Sequence, residues 1–139
     1  MSLQNTLAII KPDAVAAGNA GNIISKIEQS GFKIIAMKML HLTKTQAEGF
    51  YDVHRERPFF NSLVSFMTEG PVIPMILQAE DAILKWRNVM GATDPAKAEE
   101  STIHKAYGTA IERNAVHGSD AEDTAAVETG YFFNATEIV

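Results

Sequence analysis

Cysteine is absent from the chain, which excludes disulfides, thiol catalysis and cysteine-ligated metal. Positive charge is scarce as well. Twelve lysines and arginines stand against seventeen aspartates and glutamates, for a formal net charge of -5. That balance argues against binding nucleic acid or an acidic membrane surface, both of which need a basic face. It leaves an anionic small molecule open, because a few local cations suffice for one. Long apolar runs are missing too: LAII and FKIIAMKML are too short or too interrupted to span a bilayer. The N-terminal MSLQNTLAIIKPDAV has neither a basic leader nor a long apolar core, so no signal peptide is expected and a cytoplasmic protein is the default.

Several chemical signatures are also missing. There is no G-x-x-x-x-G-K-[ST] and no G-x-G-x-x-G, so neither a P-loop nor a Rossmann phosphate cradle is present. Any phosphate handling must therefore fall to side-chain cations, and Lys11, Arg55, Arg57, Arg87, Lys105 and Arg113 are available. The four histidines, His41, His54, His104 and His117, lack metal-site spacing, so no metal ligands are expected among the side chains. No G-x-S-x-G elbow accompanies Ser119, which speaks against a serine hydrolase.

What is present reads as one globular domain over residues 1–139, with no repeat, linker or low-complexity tract to divide it. Thr6 to Lys11 forms a short buried strand stopped by Pro12. A helix follows over Gly21 to Gln29, with Ile23, Ile24 and Ile27 inward and Gly31 just past its end. Phe32 to Leu42 reads as a second strand, and Thr43-Lys-Thr-Gln46 is a capping box opening a helix that runs to about His54. Pro58 starts another short helix. Val72 to Gln78 is a third strand, placed near a sheet edge by Pro74. Glu80 to Met90 is amphipathic, with Ala82, Ile83, Trp86, Val89 and Met90 on one face. Ala92 to Gly118 is polar and aperiodic, as functional loops often are. Ser119 opens a last helix through a second capping box with Glu122, and Tyr131 to Phe133 reads as a final strand. The order β-α-β-α-α-β-α-β fits an α/β (α+β) ferredoxin-like split βαβ arrangement: a single antiparallel sheet with helices packed on one face.

His117 stands in RNAVHGSD, between an apolar stretch and a helix start. The helix dipole there disfavours an imidazolium and keeps the ring neutral and nucleophilic. Gly118 removes a side chain that would block an incoming group. A plain polar loop residue is the commoner outcome for such a histidine. Lys11, at the carboxyl end of its strand, can reach a ligand in the crevice there, although most lysines so placed only lead the chain into water. In Arg57-Pro58-Phe59-Phe60 one ring should pack in the core and the other can offer its face to a base.

Taken in order, IIKPDAV, FYDVHRERPFF, GATDP and NAVHGSD resemble the nucleoside diphosphate kinases, over nearly the whole chain from Leu7 to Phe133. The resemblance implies a ping-pong phosphotransferase in which His117 carries the phosphate between nucleoside tri- and diphosphates. It implies that Lys11 and Asn114 bind sugar hydroxyl and phosphate oxygens, that Arg87 and Thr93 hold phosphates, and that Phe59 stacks on the base. Tyr51 would line the pocket, with Ser119 and Glu128 as further supporting residues and Glu128 orienting the histidine. A straight helix puts Glu128 roughly 13 Å from Ser119 at 1.5 Å per residue, so that contact needs the chain to fold back. Mg2+ would arrive with the nucleotide, bridging its phosphates and keeping water as its other ligands. A homo-oligomer is implied as well.

The chain departs from the resemblance at Ser101-Thr102-Ile103-His104, where the family has Gly-Thr-Ile-Arg or similar. The arginine there is a phosphate ligand, and a histidine lacks its fixed charge and bidentate fork. No phosphate role is therefore carried onto His104, and Lys105 is a neighbouring point charge. Two other readings stand beside the kinase. One is a nucleotide-binding or regulatory module with weakened transfer through this altered loop. The other is a ferredoxin-like nucleic-acid binder, opposed by the net charge and by the lack of a K/R-G-F-x-F type signature.

Overall fold

A computed structural model describes residues 3–139. Four strands, β1 (Leu3–Ile10), β2 (Lys33–Met37), β3 (Ile73–Glu80) and β4 (Val116–Gly118), form one sheet in the order β2-β3-β1-β4, with every neighbouring pair antiparallel. β1 and β2 are thus parallel with β3 between them, and β3 and β4 are parallel with β1 between them. This is the split βαβ topology of the ferredoxin-like fold.

The helices are α1 (Pro12–Ala16), α2 (Ala20–Gln29), α3 (Lys44–Phe50), α4 (Phe60–Met67), α5 (Ala82–Met90), α6 (Ile103–Tyr107) and α7 (Glu122–Phe132). They cover both faces of the sheet rather than one. Leu7 and Ile9 point into a core with Phe50 of α3, Val64 of α4 and Phe132 of α7. Ala8 and Ile10 point the other way, against Ile23 and Ile27 of α2, Trp86 of α5 and Ile103 of α6. The cause lies in the sequence: an unbroken apolar run in a strand has no polar face to give to water, so both sides must be covered. Each large side chain so buried contributes roughly 1.5–3 kcal/mol.

Several sequence expectations change. β3 is a central strand despite Pro74. The carbonyl of Pro74 accepts from Lys38 N at 3.2 Å, just past the end of β2, so the missing N–H falls where the ladder is already ending. β2 is shorter than Phe32 to Leu42 and carries an irregularity between Ile34 and Ala36. Tyr131 and Phe132 end α7 instead of forming a strand. Their aromatic rings pack on α3, with Phe132 at 4.9 Å and Tyr131 at 5.6 Å from Phe50. The fourth strand is Val116–Gly118, inside the stretch read as loop, and α6 lies in the same stretch. The Thr43–Gln46 capping box is present in both directions, at 2.9 and 3.1 Å. The one expected at Ser119 is absent. α7 begins at Glu122, and Thr124 Oγ1 accepts from Ala121 N at 2.9 Å, which leaves Ser119 free for other work.

Candidate active site

β4 lies beside the carboxyl half of β1, with His117 paired opposite Ile9. That register brings His117 to the same end of the sheet as Lys11, which follows β1. Lys11 N donates to Ala115 O at 2.7 Å, extending the ladder by one bond. Ala115 holds a left-handed backbone, φ +79°, unusual for a residue with a side chain. Its N–H donates to Asp13 Oδ2 at 3.1 Å, an anchor from α1 that holds the turn leading into β4.

His117 is fixed at three points. Its carbonyl accepts from Trp86 Nε1 at 3.1 Å, and the ring meets Phe50 edge-on at 5.5 Å. Nε2 lies 2.9 Å from Glu128 Oε1. The same carboxylate oxygen accepts from Ser119 Oγ at 2.9 Å, and Ser119 Oγ accepts from Leu7 N at 3.3 Å. α7 folds back along the sheet, so Glu128, in its middle, returns to the strand that precedes it. The ring thus faces a carboxylate rather than the helix N-terminus suggested by sequence. An ionised carboxylate only accepts, so the neutral ring carries its proton on Nε2 and leaves a lone pair on Nδ1. Gly118 also differs from expectation. A Cβ there would lie 2.5 Å from Met90 Cε and 2.5 Å from Trp86 Cδ1, so this glycine lets α5 approach the sheet.

His117 opens onto a cleft of about 730 Å3 whose lining includes Lys11, Tyr51, Arg87, Thr93 and Asn114. Five of the expected nucleotide-binding and supporting residues therefore meet there. Lys11 is 7% exposed, and its Nζ donates to Asn114 Oδ1 at 2.9 Å. Burial pulls its pKa down to about 8, partly countered by Asp13 and Glu112. Asn114 Nδ2 in turn donates to Thr93 O at 3.2 Å. Tyr51 is buried with no partner for its hydroxyl, and burial, then Glu128 and Glu112, push that hydroxyl's pKa upward.

Ser119 and Glu128 sit behind His117 and do not line the cleft. Phe59 does not line it either. It is 44% exposed, and its ring lies 5.4 Å from that of His54. His54 does line the cleft and was not among the expected binding residues, nor were Leu63, Asn88 and Asp120. His54 lies inside the quoted FYDVHRERPFF, but nothing in its spacing points to a ligand. Of the six candidate cations only Lys11 and Arg87 line the cleft. Arg55 pairs with Asp52 at 2.8 Å, and Arg113 pairs with Glu69. Among the described residues no group of three or more histidines and carboxylates is placed to hold a metal. None of the described helices is long and apolar enough to cross a membrane.

The arrangement is that of a partly buried imidazole, its Nε2 held against a carboxylate, facing a cleft that carries Lys11 and Arg87, which suits nucleophilic attack on an anionic phosphorus centre. A sequence model described as nucleoside diphosphate kinase matches residues 4–138. The nucleoside diphosphate kinase of Desulfosudis oleivorans is 58% identical over 137 residues, 99% of each chain. That of Trichlorobacter lovleyi is 59% identical over 137 residues, again 99% of each. The crystal structure of the Aquifex aeolicus nucleoside diphosphate kinase superposes with a TM-score of 0.97 at 42% identity, covering 99% of this chain and 100% of that one. A halophilic nucleoside diphosphate kinase from Halobacterium salinarum, solved in complex with CDP, gives 0.95 at 37% identity, covering 99% and 92%. Sequence, fold and cleft converge, and the chain belongs to the nucleoside diphosphate kinase family.

Proposed function

We propose that this chain moves the γ-phosphate of a nucleoside triphosphate to a nucleoside diphosphate in two half-reactions, through a phosphohistidine on Nδ1 of His117. In the first half the Nδ1 lone pair attacks the γ-phosphorus. The N–P bond forms as the bond to the β–γ bridging oxygen breaks, and the diphosphate leaves. In the second half a β-phosphate oxygen of another nucleoside diphosphate attacks the same phosphorus and returns the lone pair to Nδ1. One cleft serves both halves. The observation that carries the reading is the hydrogen bond from His117 Nε2 to Glu128, which presents Nδ1 as the free nitrogen.

The supporting roles follow from placement. As the ring becomes cationic, Glu128 stabilises it, and Ser119 holds that carboxylate in line. Lys11 and Arg87 offset phosphate charge, Lys11 and Asn114 reach the sugar hydroxyl and nearby oxygens, and Thr93 adds a hydroxyl on the facing wall. Tyr51 closes the cleft beside the histidine. Phe59, exposed beyond His54, offers its ring to the base at the outer end. Asp120 is the carboxylate lining the cleft, which suits a Mg2+ ion held mainly by the nucleotide's phosphates and by water. Bound there, Mg2+ would neutralise charge on the β- and γ-phosphates. The outer edge of β2, with Met37 and Met39 exposed beside it, supports a homo-oligomer.

Incubation with γ-labelled ATP tests the central claim. The wild type should acquire acid-labile, base-stable label, and His117→Ala should acquire none while still binding ADP. Label that persists in His117→Ala would assign the phosphate to another residue. Absence of label in the wild type would favour a binding-only module.

A further inference from the structure

One buried titratable side chain facing the cleft has no part in the scheme above. His104 is 3% exposed, in the first turn of α6. Its ring is surrounded by backbone carbonyls. Nδ1 lies 2.9 Å from Ala92 O and 3.1 Å from Gly91 O, and Nε2 lies 3.2 Å from Val116 O. All three partners are acceptors. A neutral imidazole has one N–H and one lone pair, so it satisfies one side and points its lone pair at a carbonyl on the other. An imidazolium donates from both nitrogens and satisfies both sides.

The carbonyls belong to the two walls of the cleft. Gly91 and Ala92 turn the chain from α5, which carries Arg87, to Thr93. Val116 immediately precedes His117. Thr102, just before α6, packs directly on this turn: Gly91 has φ +84°, and a Cβ there would lie 2.5 Å from Thr102. The Asn114 Nδ2 contact with Thr93 O, at 3.2 Å, ties the same two walls a second time.

We propose that His104 is a positioning residue which, as an imidazolium donating from both ring nitrogens, clasps the Gly91–Ala92 turn to the strand carrying His117. It thereby sets the distance between the phosphate-holding wall and the nucleophile. The inference rests on the reading of His117 as the phosphate carrier. With both nitrogens committed to the backbone, His104 does not itself meet the transferred phosphate. The charged and titratable groups around His104 come from the cleft and from the turn at Pro95–Lys97 packed on α6, where Lys97 and Glu99 lie beside the Gly91–Ala92 turn with opposite charges. Lys11 after β1 and Arg87 from α5 oppose a further positive charge, and Asp120 after β4 favours it. His117 of β4, and Tyr51 and His54 after α3, are the remaining titratable groups there, and α6 itself carries Lys105 and Tyr107. A bound polyphosphate offsets Lys11 and Arg87, so nucleotide binding and the charged clasp reinforce each other.

Two measurements test this. The first is ring-nitrogen NMR of the wild type, with isotope-labelled histidine and saturating ADP near pH 7. His104 should show two protonated ring nitrogens, and a single tautomer with one bare nitrogen would overturn the proposal. The second is single-turnover labelling of His104→Leu, which removes both donors and fills the same buried space with an apolar side chain. The maximal rate of His117 phosphorylation at saturating ATP should fall about ten- to a hundredfold, the scale of a small misplacement of reacting groups. Kd for ADP should weaken by a smaller factor than the rate falls, because the clasp's charge is lost but no nucleotide contact is. A wild-type rate, or a loss confined to binding, would overturn the proposal. If His104→Leu does not fold, the NMR measurement decides alone. A wild type that takes up no label would instead refute the phosphohistidine reading itself, so the two failures are distinct.

Discussion

Replacing Glu128 by glutamine keeps the shape of the contact behind His117 and removes its charge. The amide oxygen can still accept from Nε2 and from Ser119, so the tautomer and the ring orientation survive. On the phosphohistidine reading, what is lost is the attraction between a full negative charge and a ring that becomes positive as the N–P bond forms. Both side chains are about one-fifth exposed and lie 2.9 Å apart. Two unit charges about 4 Å apart at an effective dielectric near 20 interact by about 4 kcal/mol. If about half of the ring charge has developed at the transition state, the differential stabilisation is about 2 kcal/mol, or about thirtyfold in rate. Rapid-mix labelling with γ-labelled ATP would measure it, and Glu128→Gln should lower the maximal labelling rate with Kd for ATP nearly unchanged. An unchanged rate would mean that the carboxylate only orients the ring. A loss confined to Kd would mean that Glu128 acts on nucleotide binding, and either result refutes the electrostatic argument.

Three further outcomes follow from the cleft. Lys11 loses its charge as pH rises through about 8, because burial depresses its pKa below the ordinary value of 10.5. Kd for ADP, followed by calorimetry, should therefore weaken between about pH 7 and 9, and a flat profile would remove Lys11 from phosphate binding. The same depressed pKa means that the unfolded chain binds more protons than the folded one above about pH 8, so this residue's contribution to stability rises with pH there. Gly118→Ala should destabilise the fold by about 1–3 kcal/mol through overpacking against Trp86 and Met90, read as a lower Tm, and an unchanged Tm would show that α5 moves aside freely. Base discrimination should be weak, because a stacking ring offers few polar contacts. The kcat/KM values for adenine, guanine, cytosine and uracil diphosphates should agree within about a hundredfold, roughly 2.7 kcal/mol, and a wider spread would require hydrogen bonds to base edges.

Much of this architecture was legible where local physics is strong. The run Leu7 to Ile10 announced a buried strand, Ile23 and Ile27 marked the inward stripe of α2, and Thr43 with Gln46 made the capping box their spacing suggests. Elements decided by tertiary pairing were less legible. β4 is three residues long, too short for any alternation to show, and exists because β1 offers it an edge. Pro74 suggested a sheet margin, yet its deficit falls where β2 has already ended. Ser119 had the sequence of a cap, but the carboxylate of Glu128 uses its hydroxyl instead. His117, Lys11, Arg87, Thr93 and Asn114 were named from sequence and do meet in space. Their joining through Asn114 depends on the pairing of β4 with β1, and the return of Glu128 to His117 on how α7 folds back, neither of which any spacing encodes. The sequence assigns His104 no phosphate role, and it could not show the backbone carbonyls that flank both sides of the ring, because these come from chain segments joined only by the fold.

The mounting of His117 has a consequence for tolerance to change. Its peptide is suspended from Trp86, which belongs to the layer under one face of the sheet, and its ring is steadied by Phe50 and Glu128 from the layer over the other. His117 is thus a bridge with one pier in each half of the molecule. A shift in either layer changes the angle between ring and backbone even when every group around the ring is untouched. On the phosphohistidine reading, packing faults on either side of the sheet, even far from the cleft, should therefore lower the rate at which His117 is labelled.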